Sequence, residues 1–218
     1  MYFENRESAG KILADKMFER YRYEDCAVVA LSDGAVLVGN QIATSLHCIL
    51  TMLLIEEIAI PGENMNFGGM SQDGAFSYDN SLSAGEIDDY TSEYHSYLDE
   101  QKREISQRMN RLLGDGGIIS NEMLRDRVII LVADGLNSGS SLDIAVNFLK
   151  PIRIKKLVIA TPVSTIAAVD KMHLLADELY VLDVKENFLG TNHYYNDNNL
   201  PTHEETIEKI NKTILNWR

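Results

Sequence analysis

Five consecutive residues, Asn137, Ser138, Gly139, Ser140 and Ser141, carry the types best suited to chemistry in this chain. They offer backbone N–H groups, three hydroxyls and one glycine free to take a positive φ. Such a loop, opening onto a helix N-terminus, cradles a phosphate. Asp134 stands just before it, at the end of the apolar run 128–132, and open α/β sheets bind their ligands at the carboxyl ends of strands. The same spacing also serves an ordinary strand–turn–helix crossover, so residue types alone leave both readings open.

The neighbouring elements must place these residues. The unbroken apolar run 128–132, rich in β-branched side chains, predicts a parallel strand covered on both faces. Leu142, Ala145, Val146 and Leu149 fall on one helical face, and Pro151 ends that helix. Upstream, a helix is expected over 7–20, a buried strand over 26–31, a turn at Ser32-Asp33-Gly34, a helix through Leu46 and a second strand over 49–55. Asp73-Gly74 between Phe67 and Tyr78 predicts a β-hairpin. Residues 86–113 read as one long helix with Tyr90, Tyr94, Tyr97 and Leu98 on a stripe suited to a core or to the seam of a homodimer. Gly114-Asp115-Gly116-Gly117 is the clearest break. Alternation then predicts strands over 157–161 and 179–182 with a helix over 165–175 between them. A last helix starts at Thr202, where Thr202 and Glu205 have capping-box spacing. The expected fold is α/β, a doubly wound parallel sheet in a single domain over 1–218.

The segment Leu131-Val132-Ala133-Asp134-Gly135-Leu136-Asn137-Ser138-Gly139-Ser140-Ser141 resembles the diphosphate-sugar signature of the type I phosphoribosyltransferases. Other pieces resemble one stand-alone branch of that family. These are Arg6 with Ala9-Gly10, the first strand with its following loop, Pro61-Gly62, Thr161-Pro162-Val163, and Phe188-Leu189-Gly190 with Tyr194-Tyr195. The resemblance implies that fold, with a small hood formed by the two termini. It also implies transfer of ribose 5-phosphate from phosphoribosyl diphosphate to a nucleobase-like acceptor with Mg²⁺. In those terms residues 137–141 hold the 5-phosphate and Asp134 faces the ribose hydroxyls as the catalytic carboxylate. Ser32, Asp33, Gly34 and Ala35 form the pyrophosphate loop, and Phe188 and Tyr194, or Tyr195 in its place, stack the base.

Three departures remove charges that this chemistry uses. Ala133 stands where the family has the first of two carboxylates, Asp33 where the branch has an arginine, and Glu56-Glu57 where it has an Arg-Lys pair. Two unit charges about 4 Å apart interact by roughly 4 kcal/mol at an effective dielectric near 20, so a reversal beside a pyrophosphate is costly. A degenerate protein on the same scaffold, binding a nucleotide or sugar phosphate or acting as a regulatory partner, is therefore the rival expectation.

Composition narrows the partners. The formal net charge is −13, from 20 Lys+Arg against 33 Asp+Glu, which disfavours nucleic acid and anionic membranes. A phosphorylated small molecule remains compatible with one local site, because salt screens the distant field over about 8–10 Å. No apolar run approaches the roughly 18 residues of a membrane span. The N-terminal residues lack a secretory pattern, and Cys26 and Cys48 have no metal-ligand or C-x-x-C spacing, so a cytoplasmic location with reduced thiols is expected. The five histidines have no metal spacing either, and no protein-held metal site is predicted.

Overall fold

The computed structural model describes residues 2–63, 65–113 and 119–215. In chain order the elements are α1 (Arg6–Tyr21), β1 (Cys26–Ala30), α2 (Asp33–Leu46), β2 (Ile49–Met52), β3 (Ile55–Ala59), β4 (Asn66–Ser71) and β5 (Phe76–Tyr78). There follow α3 (Ala84–Glu93), α4 (His95–Leu113), α5 (Asn121–Leu124), β6 (Val128–Val132), α6 (Ser140–Leu149), β7 (Lys156–Thr165), α7 (Ile166–Leu175), β8 (Glu178–Lys185) and α8 (His203–Leu215). They fall into two compact units. One holds the described parts of 1–53, 118–139 and 152–218, the other those of 54–117 and 140–151.

The first unit is built on a five-stranded parallel sheet of order β2-β1-β6-β7-β8. β1 and β6 are buried along their whole length, as continuous apolar runs must be in a covered parallel sheet. Ala30 pairs with Val132, and Val132 with Ala160, so β1 and β6 end level while β7 runs on beyond them to Thr165. α1 crosses α2 closely because Gly10 has no side chain; a Cβ there would lie 2.6 Å from the Val38 carbonyl oxygen. The two terminal segments meet as well. Phe3 N–H donates to Tyr194 O at 2.9 Å, and Asn196 N–H donates to Phe3 O at 3.0 Å.

The second unit is an antiparallel sheet of order β3-β4-β5 with α3, α4 and α6. The hairpin expected around Asp73-Gly74 is present, with Gly74 at φ 81. α6, expected as a crossover helix for the parallel sheet, packs against β3, β4 and β5. Phe67 is fully buried, with the rings of Tyr90 and Tyr94 edge-on to it at 6.0 Å each, so the tyrosine stripe builds this core.

Two of the expected elements are each split in two. The strand expected over 49–55 is two strands in different sheets. Leu50, Met52 and Leu53 are all buried, so apolar periodicity carried no sign of the change. The long helix breaks at Tyr94, φ −108 and ψ 23, between α3 and α4. Tyr94 N–H still donates to Tyr90 O and its carbonyl accepts from Leu98 N–H, each at 2.9 Å, so the bend costs neither bond. The glycine-rich break at 114–117 lies outside the described residues.

Candidate functional site

Asp134 follows β6 directly and is held from both sides. Arg6 Nε donates to Asp134 Oδ2 at 2.6 Å, and Ser32 Oγ donates to Asp134 Oδ1 at 2.9 Å. Arg6 is the first helical residue of α1, placed by an Asn5–Ser8 capping box. Ser32 is the N-cap of α2, its Oγ accepting from Ala35 N–H at 2.9 Å. The expected pyrophosphate loop Ser32-Asp33-Gly34-Ala35 is thus the first turn of α2, and Ser32 joins that turn to the carboxylate. Gly34 is required here, because a Cβ would collide with the Asp134 carboxylate and lie 2.8 Å from Arg6 Nε.

The arginine is almost wholly enclosed, its side chain 2 % exposed against 14 % for Asp134. Arg6 Nη1 donates to Asn198 Oδ1 at 3.1 Å and Nη2 to Asn192 Oδ1 at 2.6 Å. Its guanidinium lies 4.4 Å from the centroid of the Tyr195 ring, a cation–π contact. Tyr195 Oη donates to the Asp134 carbonyl at 2.5 Å, and burial, with the nearby Asp134 charge, pushes this phenol well above the ordinary tyrosine range. Removing one partner from such a pair leaves a buried charge and costs about 3–5 kcal/mol. A carboxylate has about four lone-pair positions. Arg6 and Ser32 take one each, which leaves acceptor capacity at the exposed part of Asp134 for a pair of hydroxyls.

Sequence reasoning named Asp134 and Ser32, and offered Tyr195 only as an alternative base-stacking ring; it missed Arg6, Asn192 and Asn198 as neighbours of the carboxylate. Arg6 stood in the opening motif, and the polar run 192–199 was visible, yet nothing in either pattern says that they meet.

The loop after Asp134 is anchored by β7, which runs four residues beyond the expected 157–161 strand to Thr165. Leu136 N–H donates to Val163 O and Thr165 N–H to Leu136 O, each at 3.0 Å, while Thr165 Oγ1 donates to the Asn137 carbonyl. Gly139 takes φ 72, the left-handed conformation its residue type allowed. Asn137 and Ser138 are exposed, Gly139 and Ser140 buried, Ser141 half-buried; helix α6 starts at Ser140, two residues before the expected position.

The remaining expected residues have these places. Asp33 Oδ1 lies 3.2 Å from His203 Nδ1 of α8, whose Nε2 is buried with no hydrogen-bond partner among the described residues. Glu56, in the second unit, forms a two-pronged ion pair with Arg108, and Glu57 accepts from Asn66 Nδ2 at 2.6 Å. Tyr194 is 3 % exposed, its hydroxyl donating to Asn187 O at 3.0 Å, with Phe188 tilted beside it at 5.3 Å. Tyr194 therefore packs the tail, and half-buried Phe188 is the aromatic face left near the surface.

The donor set does not suit a protein-held Mg²⁺. Mg²⁺ takes near-octahedral oxygen ligands at roughly 2.0–2.1 Å. Ala133 supplies no oxygen side chain, the Arg6 guanidinium already lies against Asp134 Oδ2, and no group of three His, Cys, Asp or Glu among the described residues is placed to hold an ion. Among the same residues no helix is long and apolar enough to cross a membrane.

No family model matches the sequence. A protein of Mycobacterium tuberculosis strain H37Rv named "Putative phosphoribosyl transferase Rv0571c" is 22 % identical over 211 residues, 96 % of this chain. The chain spans about half the length of such relatives, 46 %. The crystal structure of TT1426 from Thermus thermophilus superposes with a TM-score of 0.74 at 22 % identity, over 100 % of this chain and 99 % of that one. A hypoxanthine phosphoribosyltransferase from Staphylococcus aureus does so with a TM-score of 0.51 at 12 % identity, covering 85 % and 76 %. The fold is that of the type I phosphoribosyltransferases.

Proposed function

We propose that this chain, a type I phosphoribosyltransferase by fold and by its curated relatives, binds a 5-phosphorylated ribosyl compound and transfers the ribosyl group slowly or not at all. The observation that carries the reading is the Arg6–Asp134 pair. It fixes one carboxylate at the end of β6, with acceptor capacity left for a vicinal diol, and neutralises the charge that would stabilise a developing oxocarbenium ion. Binding and transfer ask different things of the site. Holding a ribose 5-phosphate needs hydrogen-bond acceptors for the diol and N–H donors for the phosphate, for which Asp134 and residues 137–141 are the candidates. Transfer needs charges preorganised where charge develops, and Ala133 and Asp33 supply neither the second carboxylate nor the cation.

Full transfer to a nucleobase-like acceptor is the second reading. It rests on the phosphate-loop residues and on relatives named for that activity. The thiols fit a cytoplasmic location, and a phosphorylated small molecule is the expected partner.

Calorimetric titration of phosphoribosyl diphosphate, AMP, IMP and UMP into the full chain, with Mg²⁺ and with EDTA, tests the proposal. At least one nucleoside monophosphate should bind with a dissociation constant below about 1 mM, some −4 kcal/mol. Lack of heat for every compound in both buffers would overturn it.

A further inference from the structure

We infer that Arg6 occupies the place of a divalent cation at Asp134, so that the ribosyl ligand binds without metal. The part about the ligand rests on the function proposed above; the part about Arg6 and metal does not. Arg6 is held by Asp134, Asn192 and Asn198 and lies over Tyr195, with its side chain 2 % exposed. All of these partners come from the chain itself.

The surroundings are fitted to this cation rather than to an ion. Nε lies 2.6 Å from Oδ2, on the side of the carboxylate that faces Gly34, and the glycine leaves room for both groups. Oδ1 is held by Ser32. A divalent ion on Asp134 would therefore sit beside an enclosed positive charge whose other hydrogen-bond partners among the described residues are the neutral amides of Asn192 and Asn198. Ala133 removes the other carboxylate that could have compensated. A diol makes no such demand, because it only donates to lone pairs still open on Asp134.

A purely structural Arg6, tying α1 to the 192–198 segment, would have no bearing on metal stoichiometry. Mn²⁺, a paramagnetic substitute for Mg²⁺, distinguishes the two by electron paramagnetic resonance titration of the full chain. Wild type and Asp134→Asn should bind the same number of ions. Arg6→Gln should bind one more, and Arg6→Gln with Asp134→Asn should lose it. An ion bound by wild type and lost in Asp134→Asn would overturn the inference, as would an Arg6→Gln protein of native circular dichroism that gains none. Should Arg6→Gln fail to fold, Arg6→Ala in the presence of guanidinium chloride at low millimolar concentration replaces it, with the extra ion expected only when guanidinium is withheld.

A calorimetric arm separates this from the function. Nucleoside monophosphate affinity in wild type should differ less than threefold between Mg²⁺ and EDTA. Tenfold tightening by Mg²⁺ overturns the inference and leaves the proposed function standing. Failure of every nucleotide to bind removes the proposed function, and the Mn²⁺ stoichiometry still decides the role of Arg6.

Discussion

The Tyr195 ring lies beneath the Arg6 guanidinium at 4.4 Å, and its hydroxyl reaches past to the Asp134 carbonyl at 2.5 Å. One side chain thereby braces both members of the ion pair, and the bridge between Phe3 and Tyr195 brings it there. Tyr195→Phe keeps the ring and removes the donor, so the half-buried Asp134 loses this bond at its carbonyl. The expected loss is about 1–3 kcal/mol of stability, read by urea denaturation. Tyr195→Leu should cost more, because the contact with the cation is lost too.

Gly34 is the narrowest point of the site. Gly34→Ala places a methyl group against the Asp134 carboxylate and Arg6 Nε, both held by short hydrogen bonds and unable to yield freely. Overpacking of this kind costs about 1–3 kcal/mol. The melting temperature should fall and nucleotide affinity with it. Gly85→Ala is the control, since nothing lies within 4 Å of a Cβ there.

The parallel sheet was legible because β1 and β6 are unbroken apolar runs, and the α8 start was legible because Thr202 and Glu205 bond reciprocally as the capping pattern requires. The place of Asp134 just past the end of β6 and the positive φ of Gly139 were legible for a similar reason, since each depends on a local backbone position. Arg6 was not. Its role is set by a partner 128 residues away and by amides 186 and 192 residues away, and sequence spacing carries no information about contacts of that range. The split at Leu53 was hidden for the opposite reason: burial on both sides of a sheet change looks like one strand.

The two thiols should be silent while the chain is folded. Burial pushes Cys26 and Cys48 up from 9.0 to about 12. A group that holds its proton more tightly when folded contributes its full stability below the unfolded value, and loses it as pH rises through the folded one. Stability should therefore fall between about pH 9 and pH 12. Burial raises Tyr21 and Tyr195 too, with hydrogen-bonded Glu178 adding to the first and Asp134 to the second, which steepens the fall above pH 10. Thiol titration with an aromatic disulfide reagent at pH 8 should find no reactive cysteine in the native protein and two after denaturation. Two fast-reacting thiols in the native state would contradict the buried placement.

Turnover is the sharpest test of how the site has been rebuilt. A transition state of oxocarbenium character is stabilised by negative charge placed where the positive charge develops, and its leaving pyrophosphate by nearby cations. Here the one carboxylate at the end of β6 is neutralised by Arg6, and Asp33 turns its own negative charge toward His203 at 3.2 Å. Ala133 is 5 % exposed, so a carboxylate restored there by Ala133→Asp would be buried and would need Mg²⁺ or a new donor to be tolerated. Transfer from phosphoribosyl diphosphate to purine and pyrimidine bases should thus run at least a hundredfold below the usual enzymatic range of roughly 1–10³ per second. Pyrophosphate release in a coupled assay measures it. Asp33→Arg should tighten phosphoribosyl diphosphate by at least tenfold while leaving the rate low, because the carboxylate pair is still incomplete. A wild-type rate within the usual range would show that Arg6 moves away from Asp134 during the reaction, and that the pair seen here is a resting state of an ordinary enzyme.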